Sequence, residues 1–227
     1  MKNNILTTLV FCAYRSHAHI YRICKSVSRK FKIIVIENSL DYNFKKSIEK
    51  KFKNTKVIIP KKNIGLSKSY NIGIKNSNTK YVFLNCPDVV ITNNLLNRLT
   101  QCAEALKEFD VLAPEFKNTL NFSNYFGNKK EFKSKKKLIN QFKLSEVEFI
   151  DNGFFMKTSF AKKFLFDEKF FLYFEVTDFC TRLRKNNKRL LISDKIRFHH
   201  FHSKSVEKKY EYIAKLTKAW HFNWSKF

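Results

Sequence analysis

A chain of 227 residues that is 44% hydrophobic and 16% aromatic can build a substantial core and is not a disordered chain. With only 4 Gly and no Gly-x-Gly-x-x-Gly or Gly-x-x-x-x-Gly-Lys pattern, it lacks the glycine-rich phosphate cradle of NAD- and ATP-binding proteins. Its formal net charge of +26 points to polyanionic partners (nucleic acid, an anionic membrane leaflet or phosphorylated small molecules), although a Lys-biased, solvated surface accounts for the charge equally well.

The first half alternates between two periodicities. Leu6 to Tyr14 is a β-rich apolar run, and Ile20, Ile23, Cys24 and Val27 then recur at helical spacing. KIIVIENS is a second buried strand ending at Glu37 and Asn38. Phe44, Ile48 and Phe52 mark one face of a basic helix, and KVIIP is a third short strand. NIGLSKSYNIGIKN is a loop entering a helix, and YVFLN is a fourth strand. Leu95, Leu96, Leu99, Cys102, Ala103 and Leu106 form an amphipathic helix, and Val111 to Pro114 a fifth strand. This repetition predicts an α/β fold with a mostly parallel central sheet flanked by helices.

Residues 115–146 are polar, Lys-rich and poorly periodic, and are expected to form a long loop or insertion. EFID, NGFFMK, a short helix near Ser159 to Phe164, the aromatic run from Phe170, and two strands, RLLISD and KIRFHHFH, follow. Residues 206–227 are expected to form a basic, aromatic helix. One domain is the simplest organisation, with a first half at 1–114, a second at 115–205 and the terminal helix at 206–227.

Five cysteines, Cys12, Cys24, Cys86, Cys102 and Cys180, occur without any Cys-x-x-Cys, which argues for free thiols in a reducing compartment and against a structural zinc. The N-terminus has a short apolar stretch but no small-residue cleavage site, and no run approaches the ~18 apolar residues of a membrane span. The expected location is cytoplasmic, with charge-driven attachment to the inner membrane face.

In parallel α/β sheets ligands bind beyond the carboxyl ends of the strands. Polar residues collect at those ends: Tyr14-Arg15, Glu37-Asn38-Ser39, Lys61 to Gly65, and Asn85 to Asp88. Loops are polar in any case, but four successive strands share the pattern. In FLNCPDVV, Asp88 follows a buried strand and the polar Asn85, which suits Mg2+ or Mn2+; an ordinary turn aspartate has the same look. Asn63-x-Gly65 recurs as Asn71-x-Gly73, either as a ligand loop or as turn and cap residues. In FFLYFEVTDFCTRLRK, Glu175 and Asp178 stand three apart on one helix face behind aromatics. One of them with a raised pKa could serve as a general base, or both could complement the helix dipole. In RFHHFHSKS, His200 and His202 share a strand face and could supply a metal or phosphate contact; a surface histidine cluster is the alternative.

Taken in order, these pieces resemble the family 2 glycosyltransferases of the GT-A fold, above all the rhamnosyltransferase-like group. IVIENS stands where that family has a strand ending in Asp-Asn-Ser. NIGLSKSYNIGI follows its Asn-x-Gly…Asn-x-Gly pattern, and FLNCPDVVI its Asn-Pro-Asp version of Asp-x-Asp. DNGFFMKTSFAKKFLFDEKFFLYFEVTDFCTRLRK follows its acceptor-side signature, and HFHSKS its closing His…Ser motif. The resemblance implies an inverting, metal-dependent transfer from a nucleotide-diphospho-sugar to a glycan or lipid-linked acceptor in cell-envelope polysaccharide assembly. It places Tyr14, Glu37 and Asn38 around the nucleotide and Asn63, Gly65, Asn71 and Asn85 along the donor. Asp88 and His200 would stand at Mg2+ or Mn2+, and Glu175, with Asp178 as second choice, would be the base. Three departures stand out: Glu37 for the usual Asp, the extra Cys86, and Val176 where the family carries the Asp of a Glu-Asp pair. A nucleic-acid-binding protein is the rival from another class, but none of its usual signatures occurs and no nucleic acid is expected. A transferase fold that binds without transferring is the third possibility.

Overall fold

The computed structural model describes residues 6–116 and 123–201. The first half follows the predicted alternation. β1 (Thr7–Ala13) leads to α1 (His17–Ser26), β2 (Lys32–Glu37), α2 (Tyr42–Lys51), β3 (Thr55–Ile58), α3 (Gly65–Asn76) and β4 (Tyr81–Asn85). A two-residue β5 (Val89–Val90), α4 (Asn93–Leu106) and β6 (Val111–Phe116) follow. Local chemistry sets the helix starts: Asp41 accepts the Phe44 amide at 2.8 Å ahead of α2, and Thr92 accepts that of Leu95 at 3.2 Å ahead of α4.

The second half holds β7 (Tyr125–Glu131), α5 (Lys137–Asn140), β8 (Leu144–Ile150), β9 (Phe154–Lys157), α6 (Thr158–Lys163), α7 (Glu175–Lys185) and β10 (Leu190–His200). The strand order is β3-β2-β1-β4-β9-β6-β10-β8-β7, with β5 pairing on β10. β1 pairs in parallel with β2 and β4, β2 with β3, and β6 with β10, whereas β9 runs antiparallel between β4 and β6.

Side chains alternate across the sheet, so each strand feeds two cores. Leu9 and Phe11 of β1 point to a core shared with Ile20 of α1, Ile48 of α2 and Leu96 and Leu99 of α4. Val10 points the other way, with Tyr70 and Ile74 of α3, Ala161 of α6 and Phe179 and Leu183 of α7. The second core fixes α7: the Phe179 ring stacks on Phe166 at 4.2 Å and meets Phe154 edge-on at 5.6 Å. Removing such a ring costs about 3–5 kcal/mol.

Two expectations are corrected. Among the described residues of 115–146 the chain is not a long loop: β7 and β8 form an antiparallel pair at the sheet edge, joined through α5. β7 hides its strand character because it is an edge strand whose side chains, Gly127 to Glu131 above all, are solvent-exposed, and edge strands are characteristically charged. The two strands expected in RLLISD and KIRFHHFH are a single strand over Leu190–His200, β10, bulged between Ser193 and Arg197. Ser193 makes the bulge: its hydroxyl donates to the Phe142 carbonyl at 2.7 Å and accepts from the Ile196 amide at 3.1 Å. The helix expected at 206–227, and His202, lie outside the described residues.

Candidate active site

Beyond the carboxyl ends of β1, β2 and β4 stands the head of α7, whose Glu175 acts through its charge on Cys12 of β1 and on Cys86 just after β4. At the end of β2, Glu37 is fully buried. Its carboxylate accepts from the Ser39 amide at 2.7 Å and the Ser39 hydroxyl, and lies 3.1 Å from Nε2 of His17. His17 stacks on Phe44 with ring centroids 4.1 Å apart. Glu37 therefore orders the turn after β2 as well as placing a charge there. Tyr14 is half-buried beside it, with the Arg15 guanidinium 5.4 Å from its ring centre.

Asn38 ties the end of β2 to the entry of α3. Its Nδ2 donates to Ser69 Oγ at 2.9 Å and to Cys12 Sγ at 3.1 Å, and its Oδ1 accepts from the Ile64 amide at 3.3 Å. Asn63 turns back on its own loop, accepting the Gly65 amide at 3.0 Å. Gly65 has φ +77°, and a Cβ there would stand 2.2 Å from the Phe171 carbonyl oxygen. That carbonyl accepts the Leu66 amide at 2.7 Å. Asn71, 1% exposed, grips the same segment from inside α3. It donates to the Phe166 carbonyl and accepts the Phe166 amide, both at 2.9 Å, and donates to Glu168 at 3.1 Å. Asn71 and the Gly65–Leu66 turn thus clamp the aromatic segment, while Asn38 and Asn63 fix the loop that carries that turn.

The clamped segment ends in two left-handed residues, Tyr173 at φ 68° and Phe174 at φ 64°. Two consecutive aromatics in that region are uncommon and set the direction in which the next residue points. That residue is Glu175, the first of α7 and 5% exposed. Burial pushes its carboxyl up to about 7, against the pull of a backbone hydrogen bond, and the nearby Asp151 charge adds to the rise. Its Oε2 has no hydrogen-bond partner among the described residues. Val176 is half-buried and packs against the α7 core. Asp178 is differently placed: its Oδ2 accepts from Arg182 Nε at 2.8 Å one turn on, an ordinary i,i+4 ion pair.

Asp88 follows β4 and is 1% exposed. β5 brings it to the end of β10, because Val89 pairs with His200 and the Phe201 amide donates to the Asp88 carbonyl at 2.9 Å. His200 Nε2 lies 3.3 Å from Asp88 Oδ1. Burial alone would raise the Asp88 carboxyl, but the His200 imidazole, a backbone hydrogen bond and His19 together hold the group below the ordinary aspartate range. Asn85 is completely buried, and neither end of its amide finds a partner among the described residues. Cys86 lies in the field of Asp88, Asp151 and Glu175, and burial first, then those charges, raises its thiol far above normal. All five cysteines are free.

Among the described residues no group of three or more His, Cys, Asp or Glu side chains could by itself hold a metal ion. Asp88 and His200 nevertheless suit one. A buried carboxylate oxygen beside an imidazole is a donor pair for a divalent ion that takes its remaining ligands from phosphate oxygens and water. The sequence singled out neither Asp151 nor Asn152, although both lie in the DNGFF run. Asn152 Oδ1 accepts the Cys86 amide at 3.1 Å, tying the loop that carries Asp88 to the end of β8. Only the meeting of two distant loops reveals that role.

A largely one-directional sheet, with acidic groups beyond β2 and β4 and a helix head near the same strand ends, is the architecture of the GT-A class. The comparisons with solved structures agree. S. aureus TarS superposes with a TM-score of 0.65 at 17% identity, over 87% of this chain and 37% of that one. Residues 1–349 of TarS in complex with UDP-GlcNAc give 0.62 at 18%, over 86% and 58%. GalNAc-T7, crystallised with UDP, GalNAc and Mn2+, gives 0.65 at 14%, over 88% and 44%. The chain therefore spans from 37% to 58% of the length of these proteins. A search of curated proteins gave no match. The chain belongs to glycosyl transferase family 2, whose family model matches residues 8–166.

Proposed function

We propose that the protein transfers a sugar, with inversion, from a nucleotide-diphospho-sugar to a hydroxyl of a glycan or lipid-linked acceptor, with Glu175 as general base. The observation that carries this is Glu175 itself: a buried carboxylate at the head of a helix, raised to about 7, with one oxygen unengaged. A base poised near neutrality is half-ionised at working pH and can take the acceptor proton as the new glycosidic bond forms and the nucleoside diphosphate departs. Membership of family 2 and the likeness to structures solved with UDP, UDP-GlcNAc and Mn2+ support the donor class.

The chain's own residues divide the work. Glu37, with His17 and Tyr14, forms the nucleotide end of the site. Asn38, Asn63, Gly65 and Asn71 act on the donor through the clamp that fixes α3 against the aromatic segment, and Asn85 offers a buried amide below it. Asp88 and His200 would hold Mn2+ or Mg2+, which supplies charge neutralisation for the leaving diphosphate. Asp178, held by Arg182, orients the first turns of α7 and is not the base. A rhamnosyl or other hexosyl donor, a cell-envelope product and a cytoplasmic location at the inner membrane face complete the proposal. Among the described residues no helix is long and apolar enough to cross a membrane.

A thermal-shift screen of UDP-, GDP- and dTDP-sugars with and without Mn2+ tests the donor site. At least one sugar nucleotide is expected to raise the melting temperature in a metal-dependent way, and Asp88→Asn to abolish the shift. If no sugar nucleotide stabilises the protein under any metal condition, the donor site is misassigned. Binding without turnover would instead identify a transferase fold that no longer transfers.

A further inference from the structure

At the end of the sheet opposite the active site, where β2 and β3 begin, the surface is hollowed into a concavity of about 460 Å³. Arg29, Lys32, Lys53 and Lys56 line it, and no Asp or Glu does. Two of these cations are held by neutral partners. Lys32 Nζ donates to Asn78 Oδ1 at 2.9 Å, and Lys56 Nζ to Asn76 Oδ1 at 3.1 Å. An amide oxygen orients an ammonium without cancelling its charge. Other lysines are met by carboxylates, as in Lys45–Glu49, Lys80–Glu104 and Lys129–Asp194. Glu49 lies within the field of Lys56, but its carboxylate already accepts from Lys45 and from the Val57 amide. Asn54 stiffens the wall, donating to the Phe31 carbonyl at 2.9 Å while its own carbonyl accepts the Ile33 amide at 2.9 Å.

We propose that this concavity is a binding site for a phosphate-bearing anion. Four positive charges around a lining that holds no carboxylate favour an anion with more than one negative charge. Ammonium, guanidinium and amide NH2 groups together offer donors to several phosphate oxygens at once. The site is separate from the candidate active site: Lys32 and Glu37 occupy the two ends of β2, roughly 17 Å apart at the usual rise per residue. It therefore does not rest on the donor assignment. The phosphate can come from a soluble compound or from a lipid headgroup.

Two arms on the full chain separate these sources: calorimetry with inorganic pyrophosphate in EDTA, and flotation with phosphatidylcholine vesicles with and without phosphatidylglycerol. The double variant Lys32→Gln/Lys56→Gln is expected to weaken the bound probe about tenfold. Lys130→Gln/Lys135→Gln, which removes equal charge elsewhere, and Asp88→Asn should leave binding within about twofold. Pyrophosphate binding without vesicle binding identifies a soluble phosphate compound, and vesicle binding lost in the Lys32/Lys56 variant identifies a headgroup. The proposal is overturned if neither probe binds, if the control pair loses as much, or if Asp88→Asn abolishes pyrophosphate binding.

Discussion

Glu175 and Asp178 differ by three positions, yet their surroundings give them opposite characters. Asp178 has a guanidinium at 2.8 Å, whereas Glu175 has an unpartnered oxygen, near-complete burial and the field of Asp151. Its pKa rises from 4.5 to about 7 on folding, so the folded state keeps a proton that the unfolded chain has lost over that window. The stability associated with neutral Glu175 is complete below pH 4.5 and is lost as pH rises through 7. The full loss is on the order of 3 kcal/mol. Glu175→Gln is therefore expected to abolish turnover and yet to raise the urea midpoint relative to the parent at pH 8, with the two proteins coinciding near pH 4. Parent turnover should climb with pH through about 7, as the base ionises. A pH-independent difference in stability, or undiminished turnover, would remove Glu175 from the role. The sequence showed the two acids and their spacing. It did not show which one is paired, because that depends on what packs around the head of α7.

At the scale of elements, α3 does more than cover the sheet. Gly73 lets it lie against β1, since a Cβ there would meet Val10 Cγ1 at 2.1 Å. Its first turn and Asn71 then hold the segment from Phe166 to Phe171. The two Asn-x-Gly pairs, visible as a repeat in the sequence, thus serve different contacts of one helix. Gly65→Ala would force a left-handed alanine against the Phe171 carbonyl. It is expected to destabilise the protein by about 2–4 kcal/mol and to lower turnover by displacing Glu175. An unchanged urea midpoint would show that the clamp is not rigid. Helices with clear apolar periodicity, such as α4, were legible in advance. β7 was not, since its charged, exposed side chains carry no strand pattern, and the β10 bulge was not, since Ser193 makes it through contacts with Phe142.

For the whole molecule, a formal charge of +26 predicts loose binding to any polyanion. Retention on heparin should fall steeply as salt rises from about 0.05 to 0.5 M, because the Debye length shrinks to a few ångströms. Retention that resists salt would point to a larger built polyanion site than the concavity between β2 and β3. The sequence by itself determined the α/β alternation, the two-sided burial of the first strands, and the set of polar residues at their carboxyl ends, because these depend on periodicities of a few residues. Only the tertiary structure decided that β9 inserts antiparallel beside β4, that β5 and β10 bring Asp88 to His200, and that Glu175 rather than Asp178 is the uncompensated acid. Those outcomes depend on which distant segments exclude water from which charge, and no local pattern encodes that.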